Sequence, residues 1–159
     1  MITLTTIEII IRLAIAVGLG ALIGLERTLA GKTAGLRTYA MVSLSSSLFV
    51  IISQIVSSNM NGSFDPLRMA SQVIAGIGFI GAGLVIFKDR KITGITTAAG
   101  LWVSAGVGMA SGFGLYSVSI TATVFVMLIF TIMWFVESFL KRFSYKIESS
   151  EDEPRKTIF

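Results

Sequence analysis

The chain has 159 residues, of which 53% are hydrophobic and 14% charged, against roughly 25% charged residues in an ordinary soluble domain. It contains no cysteine and no histidine, which excludes disulfides, zinc sites of the Cys/His type and imidazole bases. The net charge of +4 comes from Lys and Arg just outside the apolar runs, a pattern typical of membrane topology signals. The composition predicts an integral membrane protein in a lipid bilayer, with no nucleic-acid partner.

Five apolar stretches follow one another, each close to the roughly 20 residues that cross a bilayer as a helix. These predicted spans cover residues 7–25, 38–56, 67–87, 94–110 and 115–136. The predicted fold class is therefore all-α, a polytopic membrane bundle of about five transmembrane helices. The predicted organisation is a transmembrane domain over 1–136 and a charged cytoplasmic tail over 137–159.

Local signals mark where two of these spans begin. Thr5 and Glu8 have the spacing of a capping box, which predicts that the first helix begins near Thr5. Asp65 followed by Pro66 supplies an N-cap and a first-turn proline for the third helix. The predicted connections are a polar turn over 57–63, a charged turn over 88–91 and a tight Gly/Ser link over 111–114.

The distribution of Lys and Arg predicts the orientation. Of the 13 basic residues, 11 lie between spans one and two, between spans three and four, or in the tail. An odd number of spans places all three segments on one side, the cytoplasmic side by the positive-inside rule. We therefore expect five spans with the N-terminus outside and the C-terminus in the cytoplasm.

Glycines in span three predict contacts between helices, because association in lipid depends on close approach through small residues. Gly76 and Gly83 fall on one face of that span, and Gly78 and Gly81 fall roughly opposite. This arrangement predicts a central helix that is contacted on both sides. The alternative is a span broken near its glycines, which exposes backbone groups to an ion as in some transporters.

Span four carries small residues at every fourth position, a ridge suited to a tight helix crossing. These residues are Thr96, Gly100, Ser104, Gly108 and Gly112. Span one has the same spacing from Ala14 to Gly18 and from Gly20 to Gly24.

Placing an ionisable side chain in or near the hydrocarbon of a membrane costs free energy, so such residues are usually paired or functional. Arg12 lies about 10 Å along span one by helix rise, with Glu8 one turn earlier on the same face. One interpretation is a snorkelling arginine paired with Glu8. The other is an outer-facing polar cluster of Glu8, Arg12, Asp65 and Arg68 that lines an entrance.

At the inner end, a second set of charged residues could form a surface that binds an anion or a partner. This set consists of Glu26, Arg27, Lys32 and Arg37. Solvated topology charges are the simpler interpretation.

No carboxylate lies near the middle of any span, which counts against a proton- or divalent-cation-coupled carrier. The hydroxyls of Ser43, Ser46, Thr96 and Thr97 remain candidate weak ligands. We predict no cofactor, and a weak interaction with Mg²⁺ through these oxygens stays open.

Five blocks of this sequence resemble the signature blocks of the MgtC/SapB family of bacterial inner-membrane proteins. They occupy residues 20–27 (GALIGLER), 31–38 (GKTAGLRT), 65–68 (DPLR), 76–83 (GIGFIGAG) and 94–99 (GITTAA, followed by Trp102). The blocks run in family order from Leu13 to about Gly114, and together they are highly specific.

The resemblance implies a multi-pass protein of the bacterial inner membrane, associated with growth under magnesium limitation and, in pathogens, with survival inside host cells. The namesake is regarded as a modulator that restrains the F-type ATP synthase. Carried over by position, the polar motif residues are Arg12, Glu26, Arg27, Arg37, Asp65, Arg68, Thr96 and Thr97. Longer members carry a soluble C-terminal domain after the last span, which we expect this chain to lack.

The leading hypothesis is a non-enzymatic membrane modulator whose small-residue faces dock helices of another membrane complex in response to magnesium or acid stress. The alternative is a small cation (magnesium) transporter or channel, a homodimer with Arg12, Asp65 and Arg68 at its mouth. A membrane enzyme ranks third because no nucleophile and base come together in the sequence.

Overall fold

The structure, a computed structural model, describes residues 4–59, 65–88 and 91–151. Five helices and one short hairpin follow in the order α1 Thr6–Leu29, α2 Leu36–Asn59, α3 Pro66–Leu84, β1 Ile86–Lys88, β2 Lys91–Thr93, α4 Ile95–Gly112 and α5 Tyr116–Glu151. The predicted all-α bundle of five helices is confirmed. The predicted turn residues 60–63, Asp89 and Arg90, and the tail from residue 152, lie outside the described residues.

Both predicted helix starts are confirmed. The Thr5 hydroxyl accepts from the Glu8 backbone N–H at 3.3 Å, and the Glu8 carboxylate accepts from the Thr5 backbone N–H at 2.8 Å. The Asp65 carboxylate accepts from the Leu67 N–H at 2.9 Å, with a proline in the first turn of α3. Each cap satisfies backbone donors that have no partner within the helix.

Among the described residues, four helices are long and apolar enough to cross a membrane: α1, α2, α3 from Leu67, and α5 as far as Val136. The remaining helix, α4, is not among these four and contains much glycine, serine and threonine. Nine of its 18 residues are buried. It therefore faces other helices more than it faces lipid.

Two helices are central: α2 packs against α1, α3 and α4, and α4 packs against α1, α2 and α3, whereas α3 packs against α2 and α4 alone among the described elements with several contacts. The prediction that span three is central is wrong. Ser43, Ser46 and Ser47 are fully buried in α2, and their small side chains let neighbouring backbones approach closely. Most glycines of α3 instead face open space.

The C-terminal end of α3 differs from the prediction of a helix through Phe87. The helix ends at Leu84, and Ile86–Lys88 pair antiparallel with Lys91–Thr93. Gly94 then enters α4 with a φ of +90°, against the backbone of Leu84. The apolar run through 87 did not reveal this end, because a short apolar segment fits a helix or a strand equally well.

The chain forms two compact units that divide inside α5, at residues 1–126 and 127–159. The first contains α1 to α4, the hairpin and the start of α5. The second contains the rest of α5, which continues as helix to Glu151, beyond its membrane-capable part.

Candidate functional site

Buried hydroxyl groups join α1, α2 and α4 through interhelical hydrogen bonds. Ser43 Oγ donates to the Ala16 carbonyl at 2.7 Å, which ties α2 to α1. Ser104 Oγ donates to the Tyr39 carbonyl, and the Tyr39 hydroxyl donates to the Thr97 carbonyl, each at 3.1 Å. The three helices are thus connected by side-chain to backbone bonds in a part of the protein that excludes lipid.

Glycines let the same three helices approach to backbone contact. A Cβ atom at Gly20 would lie 2.6 Å from the Cβ of Ser43. A Cβ at Gly112 would lie 2.7 Å from the Ser47 carbonyl, and one at Gly108 would overlap the Ser43 carbonyl. These positions therefore require glycine. We call this part of the protein the α1–α2–α4 core. At these crossings it has no room for an ion path between its helices.

Arg12 joins the three helices at the end of this core that lies near the start of α1. Its Nη1 donates to Oε1 of Gln54 at 2.8 Å and to the carbonyl of Gly112 at 2.7 Å. Gly112 is the last residue of α4, so the guanidinium stabilises the partial negative charge at that C-terminus. The Nε of Arg12 is buried without a hydrogen-bond partner among the described residues. Arg12 thus joins α1 to α2 and α4.

Among the described residues, the other members of the predicted outer cluster form no hydrogen bond or ion pair with Arg12. The Glu8 carboxylate bonds to Thr5, and the Asp65 carboxylate caps α3. Arg68 is exposed in the first turn of α3. Over 4–59, 65–88 and 91–151, no ion pair joins these residues to Arg12.

At the other end of α1, Arg27 is buried. Its Nε lies 2.8 Å from Oε2 of Glu26, which is an ion pair by distance. The geometry of these two atoms does not meet the criteria for a hydrogen bond. Lys32 and Arg37 line a separate open cavity of about 450 Å³ at the α1–α2 connection. The hydroxyl of Thr28 shapes this connection by accepting from the Leu36 N–H at 2.9 Å. The cavity can attract anions, because two cations lie beside the start of α2.

The candidate hydroxyl ligands serve different purposes. Ser43 donates to α1 as described, and Ser46 donates to the Val42 carbonyl of its own helix at 2.8 Å. Thr97 is buried with its carbonyl bonded to Tyr39, whereas Thr96 is exposed. Among the described residues, Ser43 and Ser46 thus use their hydroxyls to bond helix carbonyls and not as part of one ligand set.

The glycines predicted to pack span three fall into two groups. A Cβ at Gly81 would lie 3.6 Å from the Cβ of Ala98 in α4. At Gly76, Gly78 and Gly83, no atom of the described residues lies within 4 Å of that position. Gly100 of α4 is buried. Packing of α3 through these three glycines therefore stays a prediction, because no described residue meets them.

Two apolar cavities flank α3. One, of about 550 Å³, lies between α2 and α3, and we call it the α2–α3 groove. Its lining residues are Met41, Val42, Ser45, Ser46, Phe49, Met69, Gln72, Val73, Gly76, Ile77 and Ile80. The other, of about 270 Å³, lies between α3, α4 and the start of α5 and includes Trp102.

Within the part of the chain that the structure describes, no three His, Cys, Asp or Glu side chains come together as metal ligands. Sequence reasoning missed three polar residues that the structure makes prominent: Tyr39, Gln54 and Gln72. The available signal was a polar side chain inside an apolar span, which needs a partner in lipid.

The membrane-capable helices and the polar contacts between helices define a multi-pass α-helical membrane protein. The model of the MgtC family matches residues 13–139. The chain therefore belongs to the MgtC family. No solved structure shows significant similarity to it.

Several curated relatives support this assignment. A protein of Escherichia coli K12 named "Putative magnesium transporter YhiD" is 43% identical over 128 residues, covering 78% of this chain and 60% of YhiD. Protein MgtC of Brucella abortus is 44% identical over 108 residues, covering 68% of this chain and 44% of that protein. Protein SapB of Bacillus subtilis is 37% identical over 126 residues, covering 76% and 54%. The chain thus matches 60% or less of the length of these relatives.

Proposed function

We propose that this protein is a non-enzymatic modulator in the bacterial inner membrane, with its N-terminus outside and its C-terminus in the cytoplasm. It acts on another membrane complex, such as the F-type ATP synthase, under magnesium limitation or acid stress. Membership of the MgtC family supplies the biological setting of this proposal.

One observation carries the proposal: the polar groups of the α1–α2–α4 core bond to helix backbones. Arg12, Tyr39, Ser43 and Ser104 each donate to a carbonyl of another helix. Groups used in this way hold helices together and are not available to replace the water shell of a cation. The geometry favours a rigid scaffold whose outer faces meet partners.

The candidate docking face is the lipid-facing side of α3. Gly83 leaves open space there, and Phe79, four residues earlier on the same face of the helix, is 84% exposed. Small residues beside a large apolar side chain suit close contact with a helix of another protein.

The experiment combines two assays of the full chain. In liposomes that contain a magnesium indicator dye, we expect Mg²⁺ entry at the rate of protein-free liposomes. In inverted membrane vesicles, we expect the protein to reduce ATP-driven proton pumping and Gly83→Leu to restore it. Mg²⁺ flux at carrier rates would overturn the modulator proposal.

The second candidate function is a magnesium transporter or channel, a homodimer, which the name of the relative YhiD favours. Asp65 and Arg68 at the start of α3 would stand at its mouth. It requires Mg²⁺ flux that Asp65→Asn reduces strongly while the protein remains folded. The Asn side chain keeps an oxygen for the α3 cap, so that a loss of flux reports on charge and not on folding.

A further inference from the structure

The α2–α3 groove has the properties of a ligand pocket. Its volume of about 550 Å³ falls inside the range of roughly 300–1,000 Å³ for pockets that are mostly apolar with a few polar groups. A side chain at Gly76 would extend into open space. The groove lies between two membrane-capable helices, so its surroundings are hydrocarbon.

Two polar side chains in the groove have no hydrogen-bond partner among the residues that the structure describes. Neither Gln72 nor Ser45 forms a hydrogen bond within the described ranges, although both line the cavity. An unsatisfied amide or hydroxyl in hydrocarbon costs free energy. An occupant that supplies hydrogen-bonding groups as well as apolar surface removes this cost.

A cation lies at one end of the groove. Arg68 precedes Gln72 by one helical turn, on the same face of α3, and it is exposed. The nearby Asp65 uses its carboxylate to cap α3. Along α3 the order is therefore a cation, then an amide, then apolar residues from Val73 to Ile80.

We propose that the α2–α3 groove binds one phospholipid, with its phosphate at Arg68, its ester groups at Gln72 and Ser45, and an acyl chain along Gly76 and Ile77. The lining of α3 runs from Met69 to Ile80, about 16 Å by helix rise. One leaflet is about half of the roughly 30 Å hydrocarbon thickness. A groove of this length fits an acyl chain of one leaflet, whereas a partner helix would span both. This inference does not depend on the modulator proposal.

Matched glycine variants of α3 provide the test. Gly76→Leu fills the groove, while Gly78→Leu adds the same side chain to the same helix outside the groove, and both positions have room for a Cβ. The intact protein is purified in detergent and titrated with phosphatidylglycerol, and bound lipid is counted by native mass spectrometry. We expect Gly76→Leu to weaken lipid binding by about tenfold because the acyl site is occupied. Gly78→Leu is expected to stay within about twofold of the unchanged protein.

A second variant tests the headgroup without changing the groove. Arg68→Gln is expected to weaken binding of phosphatidylglycerol by about tenfold, and to leave binding of uncharged diacylglycerol unchanged. Arg37→Gln, in the first turn of α2 and outside the groove, is the matched charge control.

Equal lipid binding by Gly76→Leu, Gly78→Leu and the unchanged protein would overturn the proposal, as would an equal loss in both variants. A change of oligomeric state in Gly76→Leu with lipid binding intact would assign the groove to a second copy of the chain instead. The size-exclusion profile of each variant shows whether it is folded. If a variant is misfolded, Gln72→Leu is tested in its place, because the Gln72 side chain is exposed. Its expected loss of lipid binding has the same sign.

Discussion

Glycine serves opposite purposes on the two sides of α2. On the side of the α1–α2–α4 core, Gly20, Gly108 and Gly112 bring backbones into contact. On the side of α3, Gly76 and Gly78 face space that no described residue fills. Ser43 on the core side is buried and bonded to a neighbouring helix, whereas Ser45 on the α3 side is only partly buried and lines the groove. The core is complete within one chain, whereas the α3 side offers surface to molecules outside it.

The largest effect that this comparison predicts is at Gly108. Gly108→Leu places a side chain against the backbone of Ser43, where overpacking costs about 3 kcal/mol or more because backbone cannot move aside cheaply. We expect a much lower yield of folded protein and a large drop in thermal unfolding temperature in detergent. The matched control is Gly106→Leu in the same helix, where a Cβ meets nothing within 4 Å. Equal destabilisation by both variants would contradict the proposed difference between core and open positions.

Arg12 is expected to show the next largest effect. Arg12→Met keeps much of the side-chain length but removes the bonds to Gln54 and to the Gly112 carbonyl. Losing hydrogen bonds from a charged group costs roughly 1.5–3 kcal/mol. Thermal unfolding in detergent measures the loss, and Arg12→Lys should recover part of it. Arg68→Met, at an exposed position on α3, is the control and is expected to be close to neutral.

Tyr39 tests a single interhelical bond of the core. Tyr39→Phe removes the hydroxyl that donates to the Thr97 carbonyl and keeps the buried ring. Hydrogen bonds between membrane helices contribute about 0.6 kcal/mol on average, so we expect a small, measurable decrease in unfolding temperature. No decrease would mean that the glycine contacts and the Ser104 bond to the Tyr39 carbonyl stabilise the contact between α2 and α4 without this hydroxyl.

The sequence predicts helices well here because the apolar runs and the caps are local signals. Thr5 with Glu8, and Asp65 with Pro66, mark starts that the structure reproduces. The hairpin after Leu84 was not predictable, because its pairing of Ile86 with Thr93 depends on contacts across a turn. Local composition carries no record of such pairing.

The arrangement of the site is harder to predict than its residues. The four-residue spacing in span four marks Gly108 and Gly112, and both meet α2. The same reasoning favours Gly76 and Gly83, which meet nothing within 4 Å in the described structure. A glycine pattern identifies a face where close approach is allowed, but the partner depends on the topology. Arg12 shows the same limit, since its partners Gln54 and Gly112 lie 42 and 100 residues away in the chain.

The smallest expected effect is that of adding a methyl group to a glycine. The sign of the change in stability should differ between the open α3 side and the α1–α2–α4 core. Gly83→Ala adds a methyl group in open space, and alanine favours helix over glycine by up to about 1 kcal/mol in a helix interior. Because Gly83 lies one residue from the end of α3, we expect a gain of at most about 0.5 kcal/mol, about half of that interior value. Gly20→Ala carries the same change of propensity but brings the new Cβ to 2.6 Å from the Cβ of Ser43, so it should lower the unfolding temperature. If both substitutions stabilise the protein, α1 and α2 are less closely packed than backbone contact requires, and the distinction between a complete core and an open α3 side does not hold.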